Sequence, residues 1–394
     1  MTKQRLIPSA MLLLAAAALP CAALAGKPAH APTHAARQAP KPSAKSTAPK
    51  RAAAATAAAA TATGGSAAAR AVQGSTPYGE RPEAMQMAAD IATRHDLPLD
   101  WVRSTMAQAR FLPQVPRLMT PATQGTAKNW TVYRSRFVEP IRIRAGVRFW
   151  QANSAALARA EKEYGVPAEI IVGIIGVETI YGQQMGNFRV IDALATLSFD
   201  FPAAHPRAAA RTEYFRGELE QFLRFTHRAG TDPFSLRGSY AGAMGMGQFM
   251  PSSWVKWAVD FDGDDHIDLF GSAADAIGSV ANYFVAHGWK SGMPTHYPVI
   301  MQARGADLAA LLAPDILPQF TASEMDARGV QLPGSGAAHQ GPLALVKLDN
   351  GAEGQPLYIA GTENFYVITR YNWSSYYALS VIELGQEIAA AMGR

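Results

Sequence analysis

Glu178 is the residue of this chain whose surroundings alone suggest chemistry. It closes the run Ile170-Ile171-Val172-Gly173-Ile174-Ile175-Gly176-Val177-Glu178-Thr179, which follows Pro167 and is apolar on nearly every side when wound as a helix. Such a helix is buried. Glu178 falls at helical spacing from Ile171, Ile174 and Ile175, so its carboxyl group points among hydrocarbon, where burial disfavours the ionised form and raises the pKa toward neutrality. That is the condition for a general acid that holds its proton near pH 7. The competing reading is a helix-end glutamate that reaches solvent or pairs with an arginine. Cleavage of a glycosidic bond ordinarily uses two carboxylates about 5 to 9 Å apart. Asp192 and Asp200 follow Glu178, but their spacing makes neither an evident partner, and Asp192, ahead of Ala193-Leu194-Ala195-Thr196-Leu197, reads as a helix cap. A Glu178 working alone must act first as acid and then as base, with the substrate supplying its own nucleophile.

Two further segments could do chemistry. Residues 239–254, Ser-Tyr-Ala-Gly-Ala-Met-Gly-Met-Gly-Gln-Phe-Met-Pro-Ser-Ser-Trp, place three glycines at close intervals before a polar, aromatic turn. Small residues let a backbone approach a ligand closely, or let helices pack tightly; no Gly-Lys-Ser/Thr follows, so this is not a phosphate loop. Asp260-Phe261-Asp262-Gly263-Asp264-Asp265-His266-Ile267-Asp268 then offers carboxylates at the first, third, fifth and ninth positions of an EF-hand-like loop. Hard oxygen donors at alternate positions suit Ca²⁺, with His266 contributing its backbone carbonyl at position seven. Asp265 stands where glycine usually makes the sharp turn, and position twelve is Gly271 rather than Glu. The alternative is a solvated acidic turn.

The elements that must position these groups follow from periodicity. Residues 76–165 show repeated helical spacing, with Trp101, Met106, Ala109 and Leu112 in one stretch and Val138, Ile141, Val147 and Trp150 in another, and are expected to form a helical domain. Residues 166–293 are the most apolar and carry the motifs, with the metal-type loop at 260–275. Residues 294–345 read as a loop-rich insertion. In 346–394 and just before it, Leu345-Val346-Lys347-Leu348, Leu357-Tyr358-Ile359 and Tyr366-Val367-Ile368 read as short strands, and 376–392 as a closing helix.

Of 394 residues, 48% are hydrophobic and only 17% charged, which suits a large globular protein, and 33 glycines with 26 prolines argue against one long coiled coil. The net charge of +5 is unevenly distributed: residues 1–75 hold nine Lys or Arg and no acid, leaving 27 basic against 31 acidic residues in 76–394. The folded part is slightly acidic, which removes support for nucleic-acid binding. Residues 1–25 combine Lys3 and Arg5, an apolar run from Met11 to Leu19, and Ala23-Leu24-Ala25 before Gly26, the pattern of a cleavable secretory signal. An uncleaved membrane anchor is the lesser alternative, since the run is shorter than the roughly 20 residues a span requires. Cleavage after Ala25 would remove Cys21, the single cysteine. Residues 26–75, rich in Ala, Pro and Lys, read as a disordered linker.

Gly176-Val177-Glu178-Thr179, Ala193-Leu194-Ala195-Thr196-Leu197-Ser198-Phe199, Gly242-Ala243-Met244-Gly245-Met246-Gly247-Gln248-Phe249-Met250-Pro251-Ser252 and Asp275-Ala276-Ile277-Gly278-Ser279-Val280-Ala281-Asn282-Tyr283, in this order and followed by Arg370-Tyr371-Asn372, closely resemble the lytic murein transglycosylase B family. The resemblance runs from about residue 80 to the C-terminus. It implies a mainly α (α+β) fold: a lysozyme-like, goose-type helical core with an additional helical domain and a small mixed insertion. The implied activity is that of an exported, periplasmic enzyme cleaving the MurNAc–GlcNAc β-1,4 bond of peptidoglycan without water to leave 1,6-anhydromuramyl ends. Glu178 matches the single acid/base. Arg211, Ser239, Gln248, Tyr283, Tyr371, Asn372 and Tyr377 match positions lining the sugar groove. The resemblance also implies that a later aspartate, here Asp275, closes the metal loop with Asp260, Asp262, Asp264 and His266, although this chain has one extra residue before it. No cofactor is expected for catalysis, Ca²⁺ being structural. The expected partner is the glycan strand, bound by a monomer; a cell-wall synthesis complex stays open, since no partner motif is legible. The rival readings are a hydrolytic muramidase, for which Asp200 is the carboxylate to inspect, and a catalytically silent peptidoglycan-binding scaffold.

Overall fold

The computed structural model describes residues 77–120 and 127–394; the expected signal peptide and linker, along with residues 121–126, lie outside the described residues. After a short 3-10 turn at Tyr78–Glu80 come helices α1 (Pro82–His95), α2 (Leu99–Gln108), α3 (Gln114–Met119), α4 (Trp130–Arg134), α5 (Pro140–Ala152), α6 (Ser154–Tyr164) and α7 (Ala168–Thr179). The two-residue strand β1 (Phe188–Arg189) leads into α8 (Val190–Phe199) and the long α9 (Ala208–Arg228). Strand β2 (Arg237–Gly238), antiparallel to β1, opens the glycine-rich segment, and α10 (Pro251–Trp257) and α11 (Ala273–Ala286) flank the acidic loop. The C-terminal third holds β3 (His296–Pro298), β4 (Ile300–Met301), α12 (Gly305–Leu312), α13 (Ala322–Ala327), β5 (Val330–Gln331), β6 (Ala344–Asn350), β7 (Gly354–Gly361), α14 (Glu363–Tyr371) and α15 (Ser375–Ala391). Its sheet runs β3-β7-β6, all antiparallel, with β4 and β5 paired separately.

Three hydrophobic clusters hold these elements, and they do not follow the linear segments. The largest surrounds α7, all of whose residues except Glu169 are buried, and takes in α4 to α6, α11, one face of β6 and β7, α14 and α15. A second joins α1 to α3 with α8, α9, Ala241 and Met244. The helices of 76–165 are thus divided between two cores, and α8 and α9 belong with the N-terminal ones. An apolar stripe read from periodicity states that a helix face will be buried, not which face it meets. The third cluster packs Leu311, Met325, Val330 and Leu332 against Leu343, Leu345 and Ala360, giving the 294–345 stretch a core of its own.

The expected strands at 345–348 and 357–359 lie in β6 and β7. Tyr366-Val367-Ile368 is instead the middle of α14. The side chain of Thr362 accepts the backbone N–H of Asn364 and starts the helix, and Phe365, Val367 and Ile368 are buried on it, so capping and packing override the β-branched preference. Asp192 is also placed differently from the expectation: it lies in the first turn of α8 rather than at its cap, where Arg189 stands. Among the described residues no helix is long and apolar enough to cross a membrane.

Candidate active site

The last turn of α7 delivers Glu178, and the chain reverses immediately after it. Ile180 and Tyr181 both take left-handed backbone conformations, φ 51° and 58°, which branched and bulky residues adopt only when their surroundings enforce it. Two contacts do so. The buried Arg142 of α5 donates from Nε to the Gly176 carbonyl at 2.8 Å. Thr179 Oγ1 donates to the Met246 carbonyl at 2.8 Å and accepts the Gly182 N–H at 3.0 Å, so the helix end is tied to the glycine-rich segment.

Glu178 is only 6% exposed, and its carboxyl accepts a hydrogen bond from Tyr377 Oη at 2.6 Å. Burial pushes its pKa up to about 7, against the opposing effect of the Tyr377 hydrogen bond. Burial and the Glu178 charge together hold Tyr377 and Tyr371 well above the ordinary phenol value, and the same causes raise Tyr133 to about 12. Three neutral phenols therefore surround one protonatable carboxyl group, and no second carboxylate contributes to its shift.

The other residues expected to line a groove separate into those the structure brings near this centre and those held in the surrounding segments. Tyr371 donates to the Gly247 carbonyl, and its ring lies 4.8 Å from that of Tyr283, whose hydroxyl donates to the Arg370 carbonyl at 2.7 Å. Gln248, with φ 53°, turns its amide onto the Met185 and Gly245 carbonyls, both at 3.1 Å. Ser239 accepts the Ala243 N–H through Oγ and shapes the turn of the glycine-rich segment. Arg211 is buried on α9, its guanidinium 5.4 Å from the Tyr214 ring and 5.1 Å from that of Phe215. Asn372 ends α14, on the connection to the helix that carries Tyr377.

In the acidic loop, oxygens of Asp260, Asp262 and Asp264 lie within 4.8 Å of one another, and all three residues are exposed. The N–H groups of Gly263 and Asp265 donate to Asp260 and hold its carboxyl below the usual range. Asp265 makes the turn itself, at φ 68°. Asp262 accepts the Ser272 hydroxyl at 2.6 Å, and the exposed His266 donates its backbone N–H to Asp264. Asp275 stands outside this trio: it is 1% exposed, and its two oxygens accept the Phe261 and Asp268 N–H groups at 2.7 and 2.8 Å. It closes the loop through the backbone, while the three-oxygen cluster is of the hard-donor type that suits Ca²⁺.

A family model described as the transglycosylase SLT domain matches residues 79–386. The membrane-bound lytic murein transglycosylase B of Escherichia coli (strain K12) is 43% identical over 322 residues, 80% of this chain and 84% of that protein. The chain belongs to the lytic murein transglycosylase B family. Among solved structures, the Escherichia coli lytic transglycosylase SLT35 in complex with calcium is 44% identical, with a TM-score of 0.70, over 80% of this chain and 95% of that one. SltB3 from Pseudomonas aeruginosa, in complex with NAG-anhNAM-pentapeptide, is 27% identical, with a TM-score of 0.65, over 78% of this chain and 79% of that one.

In this transglycosylase Asp200 is committed elsewhere. Arg81 Nη1 donates to both its oxygens at 2.9 and 2.8 Å, and Tyr78 Oη donates at 2.9 Å. Asp192 is likewise held, by the Arg189 guanidinium at 2.7 Å and the Arg110 N–H at 2.9 Å. Sequence reasoning missed Tyr133 and Arg142, which are 45 and 36 residues upstream of Glu178 and carry no motif. It also missed Glu218 of α9, which is 3% exposed and grips both the N–H and the hydroxyl of Ser252 at the start of α10.

Proposed function

We propose that this protein cleaves the β-1,4 bond between MurNAc and GlcNAc in peptidoglycan, with Glu178 as its single acid/base, and releases 1,6-anhydromuramyl products. The observation that carries the reading is a carboxyl group buried among phenols, with a pKa near neutrality and no carboxylate partner. In the first half of the reaction Glu178 gives its proton to the glycosidic oxygen as the bond to the muramyl C1 breaks. In the second, the C6 hydroxyl of the same sugar attacks C1 and its proton passes to Glu178, which is restored. No water is consumed, and the substrate's 2-acetamido carbonyl supplies the assistance that a second carboxylate gives elsewhere. The Tyr377 hydroxyl steadies the carboxylate between the two steps. Tyr283, Tyr371, Asn372, Gln248, Ser239 and Arg211 form or shape the groove for the sugars, the aromatic faces suiting stacking and the amides suiting acetamido groups.

Asp260, Asp262 and Asp264 would hold a structural Ca²⁺ beside α11, the helix that carries Tyr283; the ion takes no part in the chemistry. Export by the 1–25 signal, with Gly26 as the first mature residue, places the enzyme in the periplasm. The decisive experiment is mass spectrometry of products released from purified sacculi by residues 26–394. Products about 18 Da lighter than hydrolytic muropeptides, one water less, are expected. Reducing-end products would mean a hydrolytic muramidase, and binding without release would mean a scaffold.

A further inference from the structure

Arg370, in the last turn of α14, is a cation without a counter-ion. Among the described residues no carboxylate lies within ion-pair distance of it. Its guanidinium instead sits 5.9 Å from the Tyr366 ring and 5.8 Å from the Trp373 ring, with Tyr366 Oη 3.4 Å from Nη1. The two rings meet edge to face at 5.9 Å and 85°, so the cation rests against a fixed aromatic corner. Trp373 is 39% exposed, an unusual position for an indole, in a tight turn where the Ser374 N–H donates to the Asn372 carbonyl at 2.7 Å. That turn joins the helix bearing Tyr371 to the helix bearing Tyr377, and the Arg370 carbonyl itself accepts the Tyr283 hydroxyl. Lys256, also without an ion pair among the described residues, holds its Nζ 5.6 Å from the Trp257 ring and acts electrostatically on the buried Glu218; with Arg370 it also acts on His287, whose pKa burial lowers. Two cations outside any ion pair among the described residues thus lie near His287, in a folded part whose overall charge is slightly negative.

We propose that Arg370, steadied by Tyr366 and Trp373 and seconded by Lys256, binds a carboxylate of the peptide stem carried by the muramyl residue. The inference rests on the peptidoglycan reading above. The sugar backbone offers no anion, because the muramyl lactyl group is amide-linked to the stem, so the carboxylates near the groove belong to the peptide. A stem of five residues reaches about 17 Å when extended, enough to pass from the sugar to the rim. A planar guanidinium recognises a carboxylate with two parallel hydrogen bonds, and the exposed indole face offers the stem's alkyl portions an apolar surface.

The test uses the full mature chain with Glu178→Gln, so that binding is read without turnover. The probe is GlcNAc-MurNAc-tetrapeptide with its stem carboxylates either free or converted to amides. The free acid is expected to bind about tenfold tighter than the amide, the worth of one charge-assisted hydrogen-bonded pair. Adding Arg370→Gln should abolish that preference, Arg370→Lys should retain part of it, and Lys256→Gln, at an exposed position, should reduce it. An undiminished preference in the folded Arg370→Gln protein would overturn the proposal. With Glu178 intact, the ratio of kcat/KM on strands with free stem carboxylates to that on strands with amidated stem carboxylates should fall about tenfold in Arg370→Gln. Anhydro products with an unchanged ratio would remove the stem site alone; absence of anhydro products from either substrate would remove the reaction, while the binding experiment still decides the site.

Discussion

At Glu178 the balance between burial and one hydrogen bond sets the working pH. In the proposed mechanism the acid form starts the reaction, so kcat/KM is expected to fall as pH rises through about 7. Tyr377→Phe removes the donor that favours the carboxylate, so the falling limb should move to higher pH while kcat drops; an unmoved limb would detach Tyr377 from this role. Glu178→Gln should reduce release of anhydro products by at least about a hundredfold, the low end of general-acid contributions. The same residue affects stability. Its folded pKa lies above the ordinary 4.5, so its contribution is fully present below that value and is lost as pH rises toward 7. Glu178→Gln does not titrate and should therefore gain on the wild type across that window, by about 3 kcal/mol at most. Melting temperatures of the two proteins at pH 5 and pH 8 measure it.

The bond between Tyr377 and Glu178 exists because two helices cross closely. A Cβ on Gly173 of α7 would lie 2.3 Å from the Val381 carbonyl oxygen of α15, and one on Gly385 of α15 would lie 2.2 Å from the Glu169 carbonyl oxygen of α7. Backbone is what each would strike, and it has no flexible end to move aside. Gly173→Ala should therefore separate the helices at a cost of about 1 to 3 kcal/mol. Its activity should fall further than its folded fraction, because Tyr377 is carried away from the carboxyl group. Retention of full specific activity in the folded variant would show that the 2.6 Å contact is dispensable.

Over the whole molecule the acidic loop links the catalytic core to its stability. Phe261, within the loop, packs against Gly278 of α11 and lies under the Arg159 guanidinium of α6, so loop order is transmitted to two helices of the largest core. Calcium should raise the melting temperature in proportion to its occupancy, and Asp262→Ala should blunt the response. An identical melting curve with calcium and with chelator would leave the loop a solvated turn. The proposed export signal predicts that N-terminal sequencing of the mature protein begins at Gly26.

From sequence alone came whatever depends on local order: the buried helix around Glu178, the glycine-rich segment, the alternating aspartates, and β6 and β7. These are statements about neighbours within a few positions, where periodicity and side-chain chemistry act directly. What faces what was decided only by the tertiary structure. The partner of Glu178 lies 199 residues away, Asp200 is drawn off to Arg81, and the N-terminal helices are divided between two cores. Tyr366-Val367-Ile368 is helical because a cap at Thr362 and a buried face outweigh its β-branched preference. Long-range packing chooses among faces that are equivalent in the linear chain, and here that choice assembles three phenols around one acid.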